Sequence, residues 1–86
     1  MENKPLKKSE IKSLCAQNEA IARAYGEFMR SNHRFGIVLG IEEAAHFSLP
    51  LEEVCITFKS GWRIYTWRIT TDIRTGGKNL SFKQLL

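Results

Sequence analysis

Val54-Cys55-Ile56-Thr57-Phe58-Lys59-Ser60-Gly61-Trp62-Arg63-Ile64-Tyr65-Thr66-Trp67-Arg68-Ile69-Thr70 is the stretch whose reading decides the fold. On each side of Ser60-Gly61, large apolar residues alternate with polar or smaller ones. Period two over β-branched and aromatic residues is the mark of a strand, and a glycine-containing break between two such runs is the mark of a hairpin. With Ser60-Gly61 as a two-residue loop, Lys59 faces Trp62, Phe58 faces Arg63, Thr57 faces Ile64, Ile56 faces Tyr65, Val54 faces Trp67 and Glu53 faces Arg68. Facing residues then share a side of the sheet. One face collects Val54, Ile56, Phe58, Tyr65 and Trp67, and the other sets Glu53 against Arg68.

The same arithmetic extends downstream. A loop at Gly76-Gly77 pairs Ile73 with Leu80 and Thr71 with Phe82 on the apolar face, and Asp72 with Ser81 and Thr70 with Lys83 outside. An apolar sheet face needs a cover. Upstream, Ile11, Leu14, Cys15, Ile21, Ala22, Tyr25, Phe28 and Met29 recur at steps of three and four, which predicts one long amphipathic helix from an N-cap at Ser9 to about residue 31. Asn18 is the polar member of that stripe, expected to bond a nearby backbone group. Phe35, Ile37 and Leu39 alternate between two glycines as a short strand, and residues 41–47 suit one or two helical turns ending before Pro50. The expected architecture is two-layer α+β: one long N-terminal amphipathic helix packed on an antiparallel β-meander of three to four strands. Residues 1–8 are expected to form a flexible basic tail, and residues 9–86 a single domain.

Length and charge bound the function. Eighty-six residues allow one core, since short chains bury a smaller share of their surface. Thirteen basic and nine acidic residues leave a formal charge of +4, which permits an anionic partner without demanding one. No apolar run is long enough to span a membrane, and the first residues resemble no secretory signal. Cys15 and Cys55 are expected to be free thiols in a reducing cytoplasm, Cys15 buried and Cys55 accessible on the outer sheet face.

Few residues invite chemistry. His33, His46, Cys15 and Cys55 lack the close pairing of metal ligands, so no metal or cofactor is expected. Adjacent acids at Glu42-Glu43 and Glu52-Glu53 point apart on a helix or a strand, and read as solvated. Gly76-Gly77-Lys78 lacks the strand, loop and helix context of a phosphate-binding loop. A helix-turn-helix across residues 43–61 fits poorly, because residues 54–58 alternate at period two. No nucleophile and base stand in a recognisable pattern, and the chain is expected not to be an enzyme.

Binding remains. Residues 59–86 hold six basic residues and one acid, whereas residues 41–58 hold four acids and no base. The favoured expectation is a small regulatory or accessory protein that docks a protein partner or its own copy through the outer sheet face, a sheet edge or the acidic 41–53 segment. The alternative is a DNA- or RNA-binding module using Lys59, Arg68, Arg74, Lys78 and Lys83, with Trp62 as a stacking ring. Lys59, Trp62, Ile64, Arg68, Arg74, Lys78 and Lys83 are therefore the candidate surface.

Overall fold

The computed structural model describes residues 4–43 and 51–85. It contains two helices, α1 (Lys8–Gln17) and α2 (Glu19–Arg30), followed by four strands, β1 (Ile37–Glu43), β2 (Leu51–Ser60), β3 (Arg63–Asp72) and β4 (Lys78–Gln84). The strands form one antiparallel sheet in the order β1-β2-β3-β4. The protein is thus α+β, with its four described strands in meander order.

The expected single helix is two. Asn18 adopts an extended conformation between them, and its side chain accepts hydrogen bonds from the N–H groups of Ala20 and Ile21 at 2.9 and 3.2 Å. Asparagine competes well for such orphan donors, so it restarts a helix as readily as it ends one. Its amide also donates to Glu43 at the end of β1. The start of α1 also lies earlier than Ser9. Lys7 is the N-cap, and its N–H donates to Glu10 at 3.0 Å. Within the segment read as a tail, the Leu6 N–H donates to the Val38 carbonyl at 2.9 Å, and Leu6 packs against the core.

The central hairpin keeps its faces but not its partners. Ser60 pairs with Arg63, Phe58 with Tyr65, Ile56 with Trp67 and Val54 with Ile69, so the two-residue loop is Gly61-Trp62. Gly61 has φ 65°, and among the described residues no non-glycine, Trp62 included, has positive φ. That pattern belongs to a II′ turn, which requires glycine at the first central position and matches the strand twist. Moving the loop by one residue changes every partner by two, and an even shift leaves each side chain on its original face. The β3-β4 connection, by contrast, is longer than Gly76-Gly77. Ile69 pairs with Leu80, Trp67 with Phe82 and Thr71 with Lys78, so Ile73 falls in the turn and is half exposed instead of facing Leu80.

β1 reverses the expected alternation. Val38 and Ile41 are buried, while Ile37 and Phe35 face outward. An irregularity between Val38 and Gly40 adds one residue opposite β2, and this bulge changes the phase so that both Val38 and Ile41 reach the core. The expected helical turns at 41–47 are replaced by strand as far as Glu43, and the remainder lies outside the described residues.

Ile11, Ile21, Ala24 and Phe28 from the helices form one cluster with Val38, Ile41, Val54, Ile56, Phe58, Trp67 and Ile69 from the sheet. Phe28 is at its centre, with its ring centroid 5.2 Å from Phe58 and 5.8 Å from Trp67. Gly36 lets the turn after α2 pass over this centre, because a Cβ there would run into the Phe58 ring. α2 packs against β1 and β2. The far side of the sheet is covered less completely, and every residue of β4 is exposed.

Candidate interaction surface

The seven candidate residues do not form one surface. Lys59, Ile64, Arg68 and Lys83 lie on the sheet face away from the core, as the pairs Lys59 with Ile64, Cys55 with Arg68 and Thr66 with Lys83 require. Lys78 is on the opposite face, where it ion-pairs with Glu27 of α2. Arg74 sits in the β3-β4 turn and pairs with Asp72 at 3.5 Å. Trp62 occupies the β2-β3 turn and is 82% exposed.

Ile64 corrects the expectation of an accessible contact residue. Only 8% of it is exposed, although it stands apart from the main core cluster. Arg68 is also occupied. Its guanidinium lies 3.1 Å from Glu53, and its pKa is raised by a hydrogen bond and charge from Cys55 and then by Glu53. The expected Glu53-Arg68 contact thus exists as a diagonal rather than a direct pair.

The acidic pairs are engaged rather than simply solvated. Glu52 points to the helix side, is 7% exposed and binds Arg23 of α2. Arg23 also approaches Glu19 at 3.8 Å. Glu27 accepts from both Lys78 and Arg30, and these hydrogen bonds hold its carboxyl below the ordinary carboxylate value. These pairs line the groove between α2 and the β3-β4 side of the sheet, together with Ala20 and Thr71. No buried side-chain nitrogen or oxygen among the described residues lacks a partner.

Charge is therefore sorted along the strands. Glu42, Glu43, Glu52, Glu53 and Asp72 lie toward one end of the sheet, as the register of β1, β2 and β3 shows. The opposite end carries the β2-β3 turn, the start of β1 and the finish of β4, and brings Lys59, Arg63 and Lys83 together with Arg34 of the turn after α2. None of these four cations has an acidic partner among the described residues. Two rings project at the same end. Phe35 is 83% exposed with the Arg34 guanidinium 4.6 Å from its centroid, and Trp62 has Arg63 at 5.4 Å.

Arg34, Phe35 and Arg63 escaped the sequence reading. Phe35 reads as one of three alternating residues of a short strand, whereas it precedes β1 and is exposed. Arg34 and Arg63 flank the two exposed rings directly in sequence, but only the pairing of Ile37 with Lys59 places the two sites at one end.

The thiols are free as expected and Cys55 lies on the outer face, but Cys15 is half-buried instead of buried. Both cysteines are free and both are partly exposed. Cys15 borders a shallow depression with Lys8, Ile11, Lys12 and Tyr25, and burial pushes its thiol up from the usual value, which disfavours the nucleophilic thiolate. Among the described residues no three His, Cys, Asp or Glu side chains converge as metal ligands. No described helix is long and apolar enough to cross a membrane. Comparison of the chain with protein-family models, known proteins and solved structures gave no match.

Proposed function

We propose that the protein acts by binding and not by catalysis, as a small cytoplasmic accessory or regulatory protein that docks an acidic protein partner against the β2-β3 turn end of its sheet. One observation carries the reading: Phe35 and Trp62, each more than four-fifths exposed, project at the end where Arg34, Lys59, Arg63 and Lys83 have no acidic partner among the described residues. Single exposed apolar residues are ordinary on a surface, but two large rings beside arginines at one end have the composition of an interface anchor. Rigid rings lose little conformational freedom on docking, and the cations supply complementarity to an acidic surface.

Nucleic acid is the second reading, because the same cations and rings would neutralise phosphates and stack on bases. It is weakened by the pairing of Arg68, Arg74 and Lys78 with acids, which leaves Lys59 and Lys83 from the original set. Arg34 and Arg63 join them only at one end.

The test is affinity capture with the whole chain and with a Phe35→Ala/Trp62→Ala double variant, each with and without nuclease. The captured protein, once purified, should bind the wild type in calorimetry and lose at least about tenfold in affinity for the variant. Circular dichroism should show an unchanged fold. Partners that all vanish on nuclease treatment, with submicromolar binding of single strands at physiological salt, would put the nucleic-acid reading first.

A further inference from the structure

We infer that two copies of the chain associate through their β4 edges, in antiparallel register about a twofold axis at Ser81. β4 is the last strand of the sheet, and its inward residues Leu80 and Phe82 remain 49% and 47% exposed. α2 packs over β1 and β2, and neither Leu80 nor Phe82 belongs to the core cluster it forms with them. His33 stacks on Phe82 at 4.6 Å but leaves half of that ring open.

The backbone points the right groups outward. Leu85 N–H donates to Ile64 at 2.7 Å and Asp72 N–H to Gly77 at 2.8 Å, so alternate residues 77, 79, 81, 83 and 85 direct their backbone groups toward β3. By the alternation of an antiparallel ladder, Leu80 and Phe82 present theirs to the open edge. A register centred on Ser81 sets Leu80 of one copy opposite Phe82 of the other, twice, so that these outward groups meet as hydrogen-bonded pairs. The apolar side chains then seal each other on the helix side.

Charge agrees with this register. Lys83 faces Asn79, and Lys78 faces Gln84, so no lysine stands directly opposite a lysine. The axis is perpendicular to the sheet and passes between two Ser81 residues. It is the register that pairs all seven residues of β4, with Leu80 against Phe82. An isologous contact of this kind closes on itself and covers the β4 edge, every residue of which is exposed. The inference does not rest on the partner site at the turn end: Phe35, Trp62, Arg34, Lys59 and Arg63 lie off β4, and Lys83 alone belongs to both surfaces.

Sedimentation equilibrium of the full chain tests it. The wild type should dimerise as concentration rises. Ser81→Lys places two ammonium groups face to face across the axis while the side chain remains exposed in each monomer, and should weaken self-association about tenfold or more. Mixing Ser81→Lys with Ser81→Asp should restore a mixed dimer. The Phe35→Ala/Trp62→Ala variant should dimerise as the wild type does, so loss of partner binding and loss of dimer are read separately. A wild type that stays monomeric, a Ser81→Lys chain that dimerises normally, or a mixture that fails to associate would overturn the proposal.

Discussion

Trp67 shows how a single side chain reports the faces of the sheet. It is 5% exposed and packs with Phe28, whereas its neighbour Thr66 lies on the other face and is only partly covered. Truncating a buried aromatic removes transfer energy and leaves a cavity, so Trp67→Ala should cost about 3–5 kcal/mol. Thr66→Ala should cost roughly 0–1 kcal/mol, as for surface changes that break no special feature. Urea denaturation of the two variants checks this, and equal losses would mean that the faces are misassigned. Glu52 makes the complementary point for a charged residue. Its inward position follows from the same parity as Val54, yet nothing in its own identity announces that Arg23 will meet it.

Among the elements, the junction at Asn18 is the most informative. Its carbonyl oxygen caps α2 and its amide reaches Glu43, so one residue ties the restart of a helix to the end of a strand. Asn18→Ala should destabilise the protein by about 1 kcal/mol through the lost cap alone, and more if the contact with Glu43 contributes. Asn18→Asp keeps the cap but sets a second carboxylate against Glu43. It should therefore be less stable than the wild type at neutral pH and recover toward it on acidification, as thermal melts across that range would show. An aspartate variant that matches the wild type at neutral pH would rule out the tie to β1. The bulge in β1 is the other local device, and it explains why an element with Phe35, Ile37 and Leu39 in alternation buries Val38 and Ile41 instead.

At the scale of the molecule, ion pairs join the helices to the sheet, and one of them contributes to its response to acid. Glu27 has its carboxyl lowered by Lys78 first and Arg30 second. A carboxylate with a lower pKa folded than unfolded contributes its full stability above the unfolded value, and loses it as the pH falls through the folded one. The pair is partly exposed, so the contribution is about 1 kcal/mol or less. Glu27→Gln should lower stability at neutral pH by that amount and converge with the wild type in acid, below the ordinary carboxylate value. Denaturation midpoints measured from neutral pH downward decide it, and parallel curves would remove Glu27 from the acid response.

What the amino-acid order determined by itself is the class of the fold, the central hairpin and the side of the sheet on which each residue of β2, β3 and β4 lies. Those are properties of period-two alternation, and they survive an error of two residues in register because an even shift returns every side chain to its face. The break at Asn18 was not legible, since the apolar steps of three and four run through it, and the capped restart depends on where α2 packs. The turn type chose the register, through the positive φ available to Gly61. The bulge chose the phase of β1, because Val38 and Ile41 can both reach the core only if one residue is set aside. For the candidate surface, Trp62 was legible as a large aromatic outside the core, whereas its place in the turn and the pairing of Lys78 with Glu27 were not. Of the pairs that set Arg68, Arg74 and Lys78 apart from Lys59 and Lys83, Asp72 with Arg74 is local and Glu53 with Arg68 follows from the hairpin, whereas Glu27 and Lys78 are distant in sequence and only the folded chain brings them within reach. Charge composition is local to the chain, but charge pairing belongs to the tertiary structure.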